Sequence, residues 1–388
     1  MAHLSFGPAQ LLAALGLIMH GAFSQAQSFT QTFGGRGAQD GIGAWSSPTG
    51  FNILVRQFEE TPHRYSSARF GINASGSMLT TFPLASSMDQ FLQHVVVAPD
   101  GTVFAVGSRL RGEPAHHDPL VIKLNANGDV LWTTEPEIPG AQQLFGGVAL
   151  SDGGAVLCGL SAIEGAHQAY AVRVGASGEL LWSYTLATST VAEAYAVALD
   201  GDELVFTGRQ TTFSGTDDIL LFRLTTNGQL VWSTSFGGSA MDVGRAAVVA
   251  VPGTVVVAGW TNSVGAFDVT SQRRPYHAYL AAFDTDGDTL WTRAIGDTTY
   301  DQRAYAMIPA VNGDFYLVGE RGTSALSDAV LMRISSQGVV VWQRVLDLGK
   351  EERFTHLAAL PDAVLATGWS FGEFGRQVLF VKRSADGN

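Results

Sequence analysis

The segment TTNGQLVWSTSFGG, residues 225–238, decides the fold because its pattern recurs along most of the chain. Five copies have a Gly four residues before a Trp: Gly128 before Trp132, Gly178 before Trp182, Gly228 before Trp232, Gly287 before Trp291 and Gly338 before Trp342. Two degenerate copies, NASGSMLT with Gly76 and SADGN with Gly387, extend the series to seven. A regular interval of about 50 residues is typical of proteins built from repeated supersecondary units.

Each repeat unit contains four short segments with the patterning of β-strands. In the unit around residue 210 they are AEAYAVAL, ELVFTG, DILLFRL and QLVWSTSF, separated by turns that contain Gly or Asn-Gly. Apolar or alternating runs of this length predict strands, and Gly at the joints supplies the positive φ angles of tight hairpins. Seven units of four strands predict an all-β fold, a seven-bladed β-propeller with four-stranded blades.

The distribution of side-chain size along each unit supports this prediction. The first strand of each unit is rich in small residues, whereas the third and fourth strands carry bulky Leu, Phe and Trp. Small residues suit an innermost strand, because the blades converge at the centre of a propeller. A Trp that recurs at one place in every unit is interpreted as packing between blades, with carbohydrate stacking as the alternative.

The two ends of the chain complete one unit between them. The last unit ends at Ser384 to Asn388 with its turn made but without its fourth strand. Aligning SFTQTFGG at residue 28 with WSTSFGG at residue 232 puts Phe29 at the Trp position. We therefore predict that residues 28 to 33 pair with Val378 to Lys382 and close the ring, which leaves no open strand edge at the junction.

The repeat pattern resembles a known family of propellers. Segments such as DPLVIKLNANGDVLW and SDAVLMRISSQG resemble the seven-bladed β-propeller repeats of secreted bacterial proteins, and the resemblance covers residues 28–388. The units are also similar to quinoprotein-like repeats through Gly-x-x-x-Trp. Those repeats usually have a Thr before the Gly, and none of the seven copies here does, so we predict no pyrroloquinoline quinone and no other cofactor. Both resemblances imply a fold more than an activity.

The first 26 residues differ from the repeats and predict export. The apolar run LLAALGLIM is followed by Ser24-Gln25-Ala26, which has the small-x-small pattern of a signal-peptide cleavage site. The run is too short to span a bilayer comfortably. We predict a signal peptide at residues 1–26, a single propeller domain at residues 27–388, and a periplasmic or extracellular location, with no choice between the two.

Composition argues against several classes of partner. The net charge of -12 and the pI near 5.1 disfavour nucleic acid and anionic membranes, because phosphate binding needs a basic surface. Cys158, the single cysteine, cannot form an internal disulfide, and its apolar context AVLCG predicts a buried, inert thiol.

Catalytic and metal-binding motifs are missing from the sequence. There is no HExxH, GxSxG or P-loop, and the histidines are scattered. DTDGD, with Asp284, Asp286 and Asp288, alternates carboxylates as a calcium loop does, but the distal Glu of such a loop is absent. Because other units have NANGD or TTNGQ at the same hairpin, we interpret DTDGD as an ordinary turn and predict no metal site.

The loops divide into two sets, which predicts two unlike faces of the propeller. Turns between first and second strands and between third and fourth strands share one face and are rich in Asp. Loops between second and third strands share the other face with the connections between blades, and they contain the one large insertion, residues 261–277. We call this second face the Arg-bearing face, because it carries Arg109, Arg111, Arg209, Arg273, Arg274 and Arg321.

We predict that the Arg-bearing face binds a ligand, because loops on a rigid scaffold often carry binding residues and Arg suits carboxylates. Trp260 and Trp369 follow the Gly that closes a second strand, where exposure near a loop is plausible. The candidate residues are Arg109, Arg209, Trp260, Arg273, Arg274, Tyr276, His277, Arg321 and Trp369. The alternative is that these arginines only pair with nearby carboxylates such as Glu113, Glu320 and Glu373.

The resulting functional hypothesis is a secreted, non-catalytic and monomeric module that recognises a protein or a glycan with acidic groups. Two alternatives remain open. One is a carbohydrate-active enzyme, a polysaccharide lyase or a glycosidase, with its site at the central channel. The other is a structural module of the cell surface.

Overall fold

The structure is a computed structural model that describes residues 28–35, 37–59, 64–84, 89–112, 115–163, 166–265, 273–323 and 326–388. The predicted signal peptide, residues 1–26, lies outside the described residues. The described ranges form seven antiparallel sheets of four strands each, which confirms the predicted seven-bladed propeller. They include no helix that is long and apolar enough to cross a lipid bilayer.

The first three blades are formed by consecutive strands. Blade 1 contains β2 (Gln39–Ser47), β3 (Gly50–Glu59), β4 (Arg64–Asn73) and β5 (Met78–Pro83). Blade 2 contains β6 (Gln90–Val97), β7 (Val103–Arg111), β8 (His116–Leu124) and β9 (Val130–Thr134). Blade 3 contains β10 (Ala141–Ala149), β11 (Ala155–Ile163), β12 (Ala166–Val174) and β13 (Leu180–Leu186).

The next three blades repeat this order. Blade 4 contains β14 (Ala192–Asp200), β15 (Glu203–Thr211), β16 (Asp217–Thr225) and β17 (Leu230–Phe236). Blade 5 contains β18 (Asp242–Val251), β19 (Thr254–Thr261), β20 (His277–Phe283) and β21 (Thr289–Ile295). Blade 6 contains β22 (Asp301–Pro309), β23 (Phe315–Gly322), β24 (Ser327–Ile334) and β25 (Val340–Leu346), with a 3-10 turn at Val311–Gly313.

Blade 7 is made from both ends of the chain. It contains β26 (Glu352–Ala359), β27 (Ala363–Gly372), β28 (Gly375–Ser384) and β1 (Phe29–Phe33). β1 pairs antiparallel with β28, so that Phe29 lies opposite Lys382 and Phe33 lies opposite Val378. The predicted closure is therefore confirmed in both its partners and its register.

The hydrophobic core consists of seven clusters, each formed by two adjoining blades. The first strands of consecutive blades contact one another all round the ring, including β26 with β2. The cluster between blades 7 and 1 contains Phe29, Phe51 and Phe380, with ring centroids 5.3 to 6.2 Å apart. Burial between blades, rather than one central core, stabilises the ring, since each blade covers the apolar face of its neighbour.

The repeated Trp residues pack between blades, as predicted. Trp182 Nε1 donates a hydrogen bond to the Thr226 carbonyl of the next blade at 3.0 Å. The hairpin residue Gly228 has φ 81° and lies directly on the same ring, since a Cβ there would be 2.8 Å from Trp182. A Cβ on Gly76 would likewise be 2.8 Å from the Phe29 ring, so Phe29 does occupy the Trp position of the closing strand.

Every first strand has a β-bulge at the same position, where one residue is left out of the pairing register with the second strand. The bulged residues are Ile42, Gln93, Phe145, Tyr195, Arg245, Tyr305 and Thr355. Six of the second strands have a Gly just there, and a Cβ on Gly208 would lie 1.8 Å from the Glu193 carbonyl. The bulge therefore explains the Gly that recurs within the second strand of the repeat.

Candidate binding face

The Arg-bearing face is built from the loops between second and third strands and from the blade-to-blade connections. The two sets of loops are joined by backbone hydrogen bonds, such as Gln302 N–H to the Tyr276 carbonyl at 2.8 Å and Leu110 N–H to the Asp89 carbonyl at 3.1 Å. The scaffold therefore holds these side chains in place.

A pocket on this face brings three of the predicted residues together. It has a volume of about 470 Å³ and is lined by Ser239, Ala240, Asn262, Arg273, Arg274 and Tyr276. Arg274 Nη1 donates to Ser239 Oγ at 3.3 Å, and no carboxylate of the described ranges forms an ion pair with Arg274. The end of the 261–277 insertion thus supplies a cation and an aromatic ring to one concave site.

A chain of ion pairs connects this pocket to blades 6 and 7. Arg273 is paired with Asp301, and Arg303 bridges Asp301 at 3.8 Å and Glu320 at 3.0 Å. Glu320 also pairs with Arg353 at 2.6 Å. The Arg303 guanidinium lies 4.1 Å above the Tyr276 ring. Because Glu320 is almost fully buried, it holds both arginines in fixed positions, as carboxylates commonly do for Arg forks.

The other predicted arginines lie on separate blades and have their own partners. Arg109 on blade 2 is paired with Glu135, and Arg209 on blade 4 bridges Glu193 and Asp217. Arg321 pairs with Asp297 at 3.2 Å and not with its sequence neighbour Glu320, because adjacent strand residues point to opposite sides of the sheet.

The sequence-based interpretation of Trp369 is wrong in one respect, because the side chain is buried, with 6% exposure. β27 continues to Gly372, so Trp369 still lies inside a strand, where Arg353 and Arg376 pack over its ring. Trp260 is half-buried against Tyr305, with ring centroids 5.5 Å apart. His277 is also buried and lies beneath two glycine residues, so it contributes no exposed group.

Exposed apolar side chains on the same face were missed by the sequence analysis. Phe213 is 90% exposed and Phe374 is 58% exposed, and both lie in loops between second and third strands. Further exposed apolar residues of this face are Met241, Tyr300, Leu326, Leu348 and Phe371. The signal was present in the sequence, because TTFSGTD and SFGEFG place Phe among turn residues where a soluble loop needs none.

Glu193, at the start of the inner strand β14, is a buried acid held by three neighbouring side chains. Burial by itself would raise the pKa of Glu193, but hydrogen bonds from Arg209, Tyr195 and His167 outweigh burial and lower the pKa to about 2. The Arg209 contacts are 3.0 and 3.1 Å long. Glu193 is therefore an ionised anchor for its neighbours at all ordinary pH values.

We expect acid to remove the stability that Glu193 contributes. The folded pKa lies below the ordinary value of 4.5, so this contribution is complete above pH 4.5 and is lost as the pH falls toward about 2. Glu193→Gln should lower the melting temperature at pH 7, and the difference from wild type should shrink below pH about 3. Exposed Glu373→Gln serves as the control. A difference for Glu193→Gln that stays constant across this pH range would contradict the assignment.

Acidic side chains of the described residues come close together at two places. Asp284 Oδ1 accepts the N–H groups of Asp286 at 3.0 Å and Asp288 at 2.9 Å, as expected of a turn. Elsewhere Asp328, Asp347 and Glu352 have carboxylate oxygens within 4.8 Å of one another. Burial and neighbouring carboxylates raise the pKa of Asp328 and Glu352. Glu352 is already held by Ser370 and a backbone N–H, so its oxygens have partners within the protein.

The buried thiol behaves as its sequence context predicts. Cys158 has no exposed surface, and burial raises its pKa above that of an ordinary cysteine. A thiol with a raised pKa is a poor nucleophile at neutral pH.

Comparisons with known proteins agree with the fold. The family model described as outer membrane protein assembly factor BamB matches residues 116–344, which is more than half of the chain. A comparison with curated proteins found no match.

Two solved propeller structures are similar to this chain. The WD40 domain of Neurospora crassa Pan2 has a TM-score of 0.50 and 10% identity, over 90% of this chain and 97% of that chain. A puromycin hydrolase has a TM-score of 0.55 and 15% identity, over 90% of this chain and 52% of that chain. The present chain thus spans about half the length of the hydrolase. At these identities the similarity concerns the fold alone.

Proposed function

Because the chain belongs to the outer membrane protein assembly factor BamB family, we propose that it is an exported, non-catalytic module that binds a partner protein through its Arg-bearing face. A factor for the assembly of outer membrane proteins works through contacts with other proteins. The predicted signal peptide at residues 1–26 supports a place of action outside the cytoplasm.

The observation that carries the proposal is the mixture of side chains exposed on this face. Phe213 and Phe374 project from loops, and Arg274 and Tyr276 line the pocket of blade 5. Aromatic residues, Met and Arg are the types enriched in protein interfaces, and they dominate the binding energy there. The loops that present them are connected by hydrogen bonds to rigid blades, so little conformational entropy is lost on binding.

A protein is favoured over a glycan by the state of the tryptophans. Sugar rings bind best on exposed aromatic faces, and Trp offers the largest one. On this face Trp369 is buried and Trp260 is half-covered by Tyr305. The exposed rings are Phe residues on separate loops, a spacing that suits several apolar side chains of a protein partner. Arg274, which has no carboxylate partner in the described ranges, would accept one acidic group of that partner.

The enzyme alternative has less support among the described residues around the channel. A glycosidase needs one carboxylic acid that stays protonated at its working pH and a second carboxylate. Glu193 has its pKa lowered to about 2, and Glu320 is held between Arg303 and Arg353. Glu193 is therefore not suited to donate a proton near neutral pH, and both oxygens of Glu320 are engaged by arginines.

We expect partner binding to depend on the exposed Phe residues. The mature chain, residues 27–388, would be immobilised, its partner captured from cell-envelope extract and identified by mass spectrometry, and the affinity for the purified partner measured. Phe213→Ser with Phe374→Ser should weaken binding at least about tenfold, because buried aromatic anchors contribute about 2 kcal/mol or more. Arg274→Glu should weaken binding further and make it less dependent on salt.

The matched control lies on the opposite face. Val251, the last residue of β18, is 59% exposed, and Val311 lies in the 3-10 turn after β22, so Val251→Ser with Val311→Ser removes two exposed apolar side chains beside turns between first and second strands. This control should bind as wild type does. Loss of binding in the control, with full binding by the Phe variants, would assign the partner to the opposite face and reject the proposal.

A further inference from the structure

The bulged residue of blade 5, Arg245, differs from the other arginines near the channel. Within the described ranges Arg245 forms no ion pair and no hydrogen bond, and its Nε is buried without a partner. Its guanidinium lies 4.2 Å from the centroid of the Tyr195 ring and 5.8 Å from that of Trp260. Arg209, Arg303 and Arg353 are all paired with carboxylates. A charge left without a partner needs a physical explanation, because desolvating it is costly.

Contacts between non-adjacent blades show that these side chains face the central channel. His356 of blade 7 lies against His94 of blade 2, with ring centroids 5.2 Å apart, and its Nε2 lies 3.1 Å from the Gln93 carbonyl. Blade 1 lies between these two blades and contributes only Gly43 at the equivalent position. Contact between side chains of blades 7 and 2 is possible only on the inner side of blade 1, where the first strands converge.

Arg245 approaches the same channel from the opposite side of the ring. The pKa of His94 is lowered to about 4, first by burial and then by the charge of Arg245. The pKa of His356 is lowered as well, by burial, by His94 and by the charges of Arg56 and Arg245. Both imidazoles are therefore neutral at pH 7, so they neither repel Arg245 nor balance its charge.

The acids that accept hydrogen bonds from the bulged Tyr195 and Tyr305 are already engaged. Glu193 is paired with Arg209, and Glu320 with Arg303 and Arg353. The guanidinium of Arg245 lies 4.2 Å from the centroid of the Tyr195 ring; its Nε is buried, and its two Nη groups bind no partner among the described residues. A planar N–H edge is the group that binds carboxylate or phosphate oxygens with two parallel hydrogen bonds.

We propose that the central channel contains a binding site for a small oxyanion, a carboxylate or a phosphate group, held by the guanidinium of Arg245. Tyr195 and Trp260 form the aromatic wall beside this group, and the His94–His356 pair forms the opposite wall. The site shares Trp260 with the Arg-bearing face but uses none of Phe213, Phe374 and Arg274, so it does not depend on the partner-binding proposal.

The test is a titration of the mature chain with sodium phosphate or sodium acetate at pH 7, with chloride adjusted to keep the ionic strength constant. Binding would be followed by calorimetry and by tryptophan fluorescence, which Trp260 should report because it lies beside the guanidinium. We expect saturable binding of at least one of the two anions by wild type. Arg245→Gln should weaken it at least about tenfold, the usual effect of losing a charged hydrogen-bond donor.

Arg293→Gln is a matched control on the same blade. Arg293 also lies over a Trp ring, at 5.7 Å from Trp291, and also has no carboxylate partner in the described ranges, but it is exposed on outer strand β21. This variant should bind the anion as wild type does. Arg245→Lys retains the charge without the planar N–H edge, so it should weaken binding several-fold; it decides the question if Arg245→Gln does not fold.

The outcomes distinguish the source of the oxyanion. Binding of phosphate alone indicates a phosphate ester, and binding of acetate alone indicates a carboxylate. Either result supports the proposal if Arg245→Gln abolishes the binding. No saturable signal with either anion, or equal affinity in Arg245→Gln and wild type, overturns it. Because Arg245→Gln removes an unpaired charge, its melting temperature in chloride alone should be no lower than that of wild type.

Discussion

Deletion of residues 28–35 is expected to prevent the ring from folding stably. The deletion removes β1, which supplies the fourth strand of blade 7 and two buried rings, Phe29 and Phe33. It would expose the edge of β28 and open the apolar cluster between blades 7 and 1. Circular dichroism, thermal melting and size-exclusion chromatography of purified protein would show loss of the cooperative transition or aggregation.

A single substitution in β1 tests the same closure of the ring with a smaller loss of stability. Phe29→Ala should cost about 3–5 kcal/mol of the free energy of unfolding, the usual range for removing a buried Phe. Thr32→Ala, at an exposed position of the same strand, should change it by less than about 0.5 kcal/mol. A synthetic peptide of residues 28–35 added to the deleted chain should restore part of the stability. A deleted chain that melts like wild type would refute closure by β1.

Arg223→Met is expected to cost about 3–5 kcal/mol of unfolding free energy, because it leaves a buried carboxylate without its cation. Arg223 Nη2 and Asp200 Oδ2 are 2.8 Å apart, and both side chains are at most 5% exposed. Arg223 also donates to the Thr285 carbonyl of the next blade, so the pair clamps two blades together. Chemical denaturation of the variant and wild type measures the loss.

The repeat provides the control for this experiment. Arg173 and Asp152 form the equivalent pair of blade 3, at 2.6 Å, but Asp152 is 46% exposed. Arg173→Met should therefore cost no more than about 1 kcal/mol, since exposed ion pairs contribute little. The double variant Arg223→Met/Asp200→Leu should recover much of the loss, because it leaves no buried charge unpaired. Equal costs at both arginines would show that burial does not control the strength of the pair.

Comparison of equivalent positions separates scaffold from candidate function. The Trp and hairpin Gly of each unit have the same role in nearly every blade, as Trp182 and Gly228 illustrate. The bulge position differs in every neighbour, with Tyr195, Arg245 and Tyr305 in three successive blades. A residue type that recurs in every blade therefore serves packing. The bulge position, whose residue changes from blade to blade, is where a candidate function of one blade is found.

The departures from the repeat show where sequence patterns stop being informative. Blade 1 has Thr80 at the Trp position, and Trp45 of the inner strand takes over by donating to the Ala126 carbonyl at 3.0 Å. The expected exposure of Trp369 failed because the closing Gly of the second strand accommodates a bulge and does not end the strand. Both cases depend on a neighbouring strand that the local sequence does not contain.

The amino-acid sequence by itself determined the number of blades, the strands of each blade and the closure of Phe29–Phe33 on β28. These features follow from short-range periodicity and from repetition, which are properties of neighbouring residues. The tertiary structure alone decided the partners of the arginines, the exposure of Phe213 and the lack of a carboxylate partner for Arg245 among the described residues. Such properties depend on through-space distances between side chains of different blades, and no local pattern encodes them.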